Sequence, residues 1–589
     1  MPMIHNFTTL PSLLKYTARV HENPTALAYK RNGVWTGVST AEVLETTRKI
    51  GAGLLEMGLK PGDRVGLVAN PSPFWMMMDF AVLGAGGITV PLFSNIAPDN
   101  LRYEISDSGM RFLFVGSEEQ YLAMQPFFQP LERIISLTPI SGAPDCVSWQ
   151  DLIALGERRR RSNPGEWDAL ADAVREKDTA TLIYTSGSTG IPKGVELTHQ
   201  NLTSQVIAIG ICFMLDAKKD KVLSCLPLAH VFERIATYYY FSTGASLYFV
   251  EEIKKVGADL REVQPTVITL VPRLFEKIFA RMQADVEKAS GLRKRLGQAA
   301  FDLARVRKND TPFTLMDRVF DALVYRKMRR ALGGKLNLVI SGGAPLDPAL
   351  CEFFLNIGVP VYEGYGLTET SPVISANFPG HRKVGTVGPV FPGVEVRIGD
   401  DGEILARGPN IMKGYHGKPA ETAEMIDAEG WLHTGDLGLL DGEGYLKITG
   451  RKKELFKTAN GKYVAPVPIE QALAANKLVD MAMVLAEGKP FATALLFPDM
   501  ENLKFLKPDL RLESMDNGAF LQSQQVRDYL NQIVDEINSR LNAWEKIQKF
   551  HLADRALSIE TGELTPTLKI RRHIVAEKFR PEIEAFYNR

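Results

Sequence analysis

Short apolar runs separated by helix-length stretches dominate much of this chain. Between position 63 and about 115 the runs RVGLVAN, GGITVPL and MRFLFVG alternate with helical stretches such as the one around 75–83. The rhythm resumes after Lys177, where TATLIYT, KVLSCL, SLYFV, TVITLV and KLNLVIS are β-branched runs set apart by helix-length segments. Strands alternating with helices predict parallel sheets with helices packed on their faces. From about 384 to 447 the texture changes to short strands with frequent turns (GVEVRIGDDGEILARG, EGYLKITGR), which predicts a β-rich subdomain. After Arg451 a smaller α+β segment follows. The expected fold is α/β: a large N-terminal region of parallel-rich sheets flanked by helices over 1–451, with the small β subdomain, and a smaller α+β C-terminal domain over 452–589.

Two stretches break this rhythm. The most apolar one, 74–93, is interrupted by Asp79 and by Gly84, Gly86 and Gly87, so it predicts a helix followed by a buried strand rather than a membrane span. The stretch 281–330 has no convincing strand, is helical in composition, and carries about twice as many basic as acidic residues. A solvated helical insertion explains it; so does a basic surface for anionic lipid or for coenzyme phosphates.

Charge and cysteine usage narrow the classes. With 69 Lys+Arg against 69 Asp+Glu the chain is balanced, which argues against a nucleic-acid-binding surface spread over the whole molecule. Cys146, Cys212, Cys225 and Cys351 lie far apart with no CxxC spacing, so they form neither a disulfide framework nor a zinc pattern, and a reducing compartment suits them. The opening MPMIHNFTTLPSLLKY lacks the basic flank and apolar core of a signal peptide. A cytoplasmic protein is expected, with any membrane contact peripheral and the oligomeric state open.

The segment richest in chemistry is Thr185-Ser186-Gly187-Ser188-Thr189-Gly190-Ile191-Pro192-Lys193-Gly194, directly after the apolar run TLIY. Glycines let backbone amides crowd around an oxyanion, hydroxyls add donors, and Lys193 adds a cation, which is what a phosphate or pyrophosphate requires. It is not a Walker A loop, because the G-x4-G-K-[ST] spacing is absent. Ser/Thr/Gly runs are also common surface loops; placement at a strand end, with a lysine behind a proline, favours the phosphate reading.

The loop resembles the signature of the adenylate-forming superfamily of acyl-CoA synthetases, luciferases and adenylation domains. Further matches occur in the family's order: Ser341-Gly342-Gly343-Ala344-Pro345, Tyr365-Gly366-Leu367-Thr368-Glu369, Thr434-Gly435-Asp436, Gly450-Arg451-Lys452-Lys453-Glu454 and Pro566-Thr567-Leu568-Lys569. A lone TGD is an ordinary turn and a lone lysine in a polar loop is an ordinary surface residue; the joint order carries the inference. The resemblance implies ATP, Mg²⁺ and coenzyme A as ligands. It makes Glu369 the Mg²⁺ ligand, Thr368 a donor to the α-phosphate, Tyr365 a flat face for adenine with Gly366 beside it, and Gly342, Gly343 and Ala344 the small residues that let main chain approach the purine. Asp436 and Arg451 would hold the ribose. Lys569 would bridge carboxylate and α-phosphate, a role suited to a compact charge on a long stem. The C-terminal domain would be mobile, turning about a hinge at Lys453, where the family often has Asp, and Gly461 would then line the pantetheine channel.

The segment Leu226-Pro227-Leu228-Ala229-His230-Val231-Phe232-Glu233-Arg234 resembles that of long-chain acyl-CoA synthetases, as does Val263-Gln264-Pro265-Thr266 leading into Val271-Pro272-Arg273-Leu274-Phe275-Glu276. The helical insertion is itself a long-chain feature. His230 would face the acyl carboxylate, unless it is a satisfied core histidine. Thr237, Tyr238, Tyr239, Tyr240 and Phe241 would wall an apolar tunnel or pack in a buried sheet. Arg234 stands where some relatives carry a gating tryptophan, which puts chain-length control by gating in doubt. The function implied is activation of a long-chain fatty acid to its acyl-adenylate and transfer to coenzyme A. The alternatives are an adenylation enzyme that loads a carrier protein, a luciferase-like enzyme, and an inactive binding or scaffold protein.

Overall fold

The computed structural model describes residues 7–588 apart from 97, 130, 144–145, 187–190, 309–310, 312–313, 453–454, 460–461, 477 and 566–568, with backbone only at 186, 504, 505 and 509. Its frame is a pair of eight-stranded sheets. In the first, Leu27–Arg31, Ser246–Phe249, Lys221–Ser224, Val267–Leu270, Leu338–Ser341 and Val361–Gly366 lie parallel in that spatial order. Antiparallel strands Val34–Val38 and Val373–Ala376 close its edges. In the second, Thr179–Ser186, Ile88–Pro91, Arg64–Val68, Phe112–Val115, Arg133–Ser136 and Cys146–Ser148 run parallel. Pro192–Thr198 and then Gly414–Tyr415 extend it antiparallel.

Every apolar run singled out in the sequence is a strand of these sheets. The expectation of parallel pairing needs one refinement: the chain leaving Thr179–Ser186 turns back as the antiparallel strand Pro192–Thr198. Thr185 and Ser186 pair with Lys193 and Pro192 across this antiparallel ladder. The hairpin Leu27–Val38 was not legible, because no residue of its second strand is buried and the strand carries no alternation.

Helices Leu10–Val20, Pro73–Gly84, His199–Cys212 and Val231–Ser242 share one core with residues of both sheets. A helix in such a position is apolar all round, and eleven of the twelve residues of Pro73–Gly84 are buried. That explains the hydrophobic stretch at 74–93, and no helix among the described residues is long and apolar enough to cross a membrane. The run of tyrosines is also corrected here. It forms the buried helix Val231–Ser242, not a sheet, with the phenol of Tyr239 donating to the Phe213 carbonyl and Tyr240 bonded to Thr269 at 2.7 Å.

On the outer face of the first sheet lie Pro272–Glu287, Gly291–Val306, and Leu315–Phe320 continuing through a π turn at Asp321–Tyr325 into Arg326–Ala331. The segment 281–330 is thus mostly helical among its described residues, with short breaks at 288–290, 307–308, 311 and 314, and it is anchored by Phe301, Phe320, Val324 and Tyr325 in a core shared with Phe353 and Phe354. Strands Glu395–Ile398, Glu403–Arg407, Leu432–Leu440 and Leu446–Arg451 form an antiparallel sheet. Beyond them a three-stranded sheet, Val479–Leu485, Ala492–Pro498 and Ile547–Leu552, packs with helices in cores of its own. All four cysteines are free thiols.

Candidate active site

Parallel strands present their carboxyl ends, and the loops that follow them, to one side, where α/β sheets place ligands. Here the loops after Lys221–Ser224, Leu338–Ser341 and Val361–Gly366 supply His230, Gly342–Ala344 and Thr368–Glu369. These strands belong to one sheet, so residues more than a hundred positions apart converge.

The glycines there are required sterically. A Cβ on Gly342 would sit 2.7 Å from the Phe232 ring, and one on Gly366 would sit 1.6 Å from the Pro372 carbonyl oxygen. Gly343 has φ +82°, a left-handed conformation that favours glycine. Gly343 and Ala344 are exposed, an open main-chain edge beside the site.

Glu369 lies on the 3₁₀ turn Thr368–Thr370, and its Oε1 accepts a hydrogen bond from the Tyr415 phenol at 2.8 Å. The same ring carries the Lys193 ammonium 5.0 Å from its centroid, and Lys193 also pairs with Glu421. Tyr415 belongs to the second sheet through its pairing with Val195. One tyrosine therefore ties the lysine of the hydroxyl- and glycine-rich loop to the acidic turn of the other sheet. Burial, then the Glu369 charge, push its phenol pKa far above the usual range. Of the loop itself, Gly187, Ser188, Thr189 and Gly190 lie outside the described residues, while Thr185 and Lys193 face each other in the ladder.

Asp436 and Arg451 are cross-strand partners, and Arg451 Nε donates to Asp436 Oδ1 at 2.8 Å. The Tyr365 phenol donates to Oδ2 of the same carboxylate at 2.7 Å. Tyr365 is thereby fixed in orientation, with its pKa raised first by burial and then by Asp436.

His230 caps the helix Val231–Ser242, its Nδ1 accepting the Phe232 amide at 3.2 Å, which leaves Nε2 to carry the proton of the neutral ring. Burial, and then the positive charge of Lys569, push its pKa down to about 4. Lys569, 339 positions away in sequence, is near enough for its charge to act on His230. Its main chain is held by Thr565, whose amide donates to the Lys569 carbonyl at 2.8 Å and whose hydroxyl accepts the Lys569 amide at 3.0 Å. The C-terminal segment also touches the open edge, where Gln471 Nε2 donates to the Pro345 carbonyl at 3.0 Å, and Asp480 pairs with Arg273.

Residues 14–416 match the AMP-binding enzyme family, and residues 454–589 match the AMP-binding enzyme C-terminal domain. This chain belongs to the AMP-binding enzyme family. Among its relatives, the long-chain-fatty-acid–CoA ligase FadD15 of Mycobacterium tuberculosis is 36% identical over 96% of this chain and 95% of its own. The long-chain-fatty-acid–CoA ligase ACSBG2 of Homo sapiens is 30% identical over 98% of this chain and 92% of its own. The adenylation domain of a carboxylate reductase from Mycobacterium chelonae superposes with a TM-score of 0.77 at 20% identity, over 99% of this chain and 92% of its own. An anthranilate CoA ligase bound to anthranoyl-AMP superposes with a TM-score of 0.70 at 20% identity, over 97% of each chain. At that identity the superpositions establish the fold.

The structure of this AMP-binding enzyme buries Arg234 in the core. Its guanidinium is buried, ion-paired with Asp79 at 2.5 Å and bonded to Tyr238, Thr181 and Thr89. A buried charge stripped of its partner costs on the order of 3–5 kcal/mol, so Arg234 and Asp79 act as a fixed core pair. Gly461 and the hinge position Lys453 lie outside the described residues. Sequence reasoning missed Tyr415, whose partners are 46 and 222 positions away and which sits in a two-residue strand without periodicity. It also missed Glu233, a buried carboxyl one turn into the His230 helix that accepts from Ser224 Oγ at 2.5 Å and is pushed up to about 8 by burial.

Proposed function

We propose that this AMP-binding enzyme activates a long-chain fatty acid as its acyl-adenylate and then transfers the acyl group to coenzyme A. The observation that carries the substrate class is the 36% identity, over nearly the whole chain, to a relative named for that reaction. In the first step a carboxylate oxygen attacks the α-phosphorus of ATP and pyrophosphate leaves. In the second the coenzyme A thiolate attacks the acyl carbonyl and AMP leaves.

The residues take the following roles in this reading. Lys193, with the 185–190 loop of Thr185, Ser186, Gly187, Ser188, Thr189 and Gly190, holds the β- and γ-phosphates. Thr368 donates to the α-phosphate. Tyr365, with Gly342, Gly343, Ala344 and Gly366, receives the adenine, and Asp436 and Arg451 the ribose. His230, neutral above about pH 5, faces the acyl carboxylate. Lys569 supplies the cation between carboxylate and α-phosphate, and Gly461 lines the thiol's path after the segment beyond Arg451 turns.

No group of three His, Cys, Asp or Glu side chains able to hold a metal occurs among the described residues. That fits Mg²⁺, which binds through one or two carboxylates together with substrate phosphates and water. Glu369 is the carboxylate that would hold it, and the ion would neutralise charge on the phosphates.

The test is incubation with ATP, Mg²⁺, coenzyme A and saturated acids of two to eighteen carbons, following AMP and thioester separately. Thioester formation is expected to rise toward the long acids. A peak at short acids would reject the substrate class, and AMP without thioester would transfer the acceptor role to a carrier protein.

A further inference from the structure

Six of the eighteen large apolar side chains exposed among the described residues fall between positions 292 and 323. Five of them, Val306, Leu315, Met316, Val319 and Leu323, gather about the start of the helix that runs from Leu315 to Ala331. Val306 is joined to that start by the Arg307–Asp317 pair at 3.6 Å. Leu315 is 78% exposed and Val306 74%. Leu315, Val319 and Leu323 recur every four residues and so form one stripe along the helix.

Farther along the same helix the exposed positions turn basic: Arg326, Lys327 and Arg330, with Arg318 beside the apolar stripe. None of these four makes an ion pair among the described residues. Both acids of the helix are already committed, Asp317 to Arg307 and the Thr314 cap, and Asp321 to Arg329 at 2.6 Å. Behind this face, Phe320, Val324, Tyr325 and Met328 lock the helix onto the sheet body, and the Tyr325 phenol donates to the Ala300 carbonyl at 2.8 Å. The face is therefore rigidly held.

Single exposed apolar residues need no explanation, but a clustered set does. Apolar side chains beside basic ones, on a helix whose own two acids are already paired, complement an anionic bilayer surface, where apolar groups enter the headgroup boundary and cations meet lipid phosphates. We propose that the helix Leu315–Ala331, with Val306, is a docking face for anionic membrane. The partner is a lipid surface and not a nucleotide, because half of the face is apolar. The proposal does not depend on the fatty-acid reading, and its expected results are read by vesicle binding and fluorescence.

The full chain is sedimented with vesicles of phosphatidylcholine, with and without about one-third phosphatidylglycerol. Binding is expected to be at least tenfold stronger to the anionic vesicles and to weaken as salt is raised. A triple variant, Leu315→Ser with Val319→Ser and Leu323→Ser, and a second, Arg326→Glu with Lys327→Glu and Arg330→Glu, should each lose at least tenfold in binding. Because all six side chains are exposed, both variants should melt with the parent. As an independent readout, Met316→Trp should shift its emission to the blue when anionic vesicles are added. The proposal is overturned if the parent ignores anionic vesicles, if either triple variant binds like the parent, or if the tryptophan does not shift. It is equally overturned if the serine variant changes the oligomeric mass instead, or if the glutamate variant raises KM for coenzyme A while vesicle binding persists.

Discussion

At the residue scale, the site depends on side chains that hold other side chains. Tyr415 is the clearest case. Its phenol donates to Glu369 and its ring underlies Lys193, so one residue positions both the acidic and the basic member of the proposed phosphate end. Tyr415→Phe keeps the ring and removes the donor. A hydrogen bond to a charged group contributes about 1.5–3 kcal/mol, so kcat/KM for MgATP in the adenylation half-reaction should fall roughly ten- to hundredfold, while Lys193 stays placed. Unchanged pyrophosphate exchange in that variant would show that Glu369 is positioned without it. Lys193, Glu369, Asp436, Arg451 and Lys569 could be proposed from the sequence, because each sits in a short motif whose chemistry is local. Tyr415 was not, because its importance arises from contacts across two sheets.

At the scale of elements, the helix Val231–Ser242 does more than fill the core. Its cap is His230, and Glu233 in its first turn accepts from Ser224, while the Leu226 and Cys225 amides favour its charged form. Burial nevertheless prevails and raises the carboxyl from 4.5 to about 8. A carboxyl whose folded pKa lies above its unfolded one binds its proton more tightly when folded. Its stabilising contribution is complete below about pH 4.5 and is lost as pH rises to about 8. Glu233→Gln fixes the neutral state, so its unfolding free energy should decline less than the parent's between pH 5 and 8, by about 1–3 kcal/mol. Chemical denaturation at the two pH values measures this, and identical slopes in both proteins would refute it.

Apolar periodicity made the central strands and the all-apolar helix Pro73–Gly84 readable, since burial on both faces leaves continuous runs. The edge strands escaped because half-exposed strands carry mixed residues. The tyrosine run misled because four aromatic positions in succession suit a strand as well as a helix sunk between two sheets.

At the scale of the whole molecule, the proposed reaction needs one site to serve two steps, with the segment beyond Arg451 presenting Lys569 in the first. The charge of Lys569 acts on His230, and Gln471 and Asp480 contact the N-terminal body. Lys569→Ala should abolish adenylate formation, by a factor of a thousand or more, and spare thioester formation from presynthesised acyl-adenylate. Equal loss of both half-reactions would remove Lys569 from the role proposed. The measurement that bears most directly on the central claim follows oxygen atoms. A long-chain acid labelled with oxygen-18 in both carboxylate positions is turned over with ATP and coenzyme A, and the products are weighed by mass spectrometry. Attack of the carboxylate on the α-phosphorus predicts one labelled oxygen in AMP and one in the thioester. Label in phosphate or pyrophosphate, or unlabelled AMP alongside thioester, would contradict it.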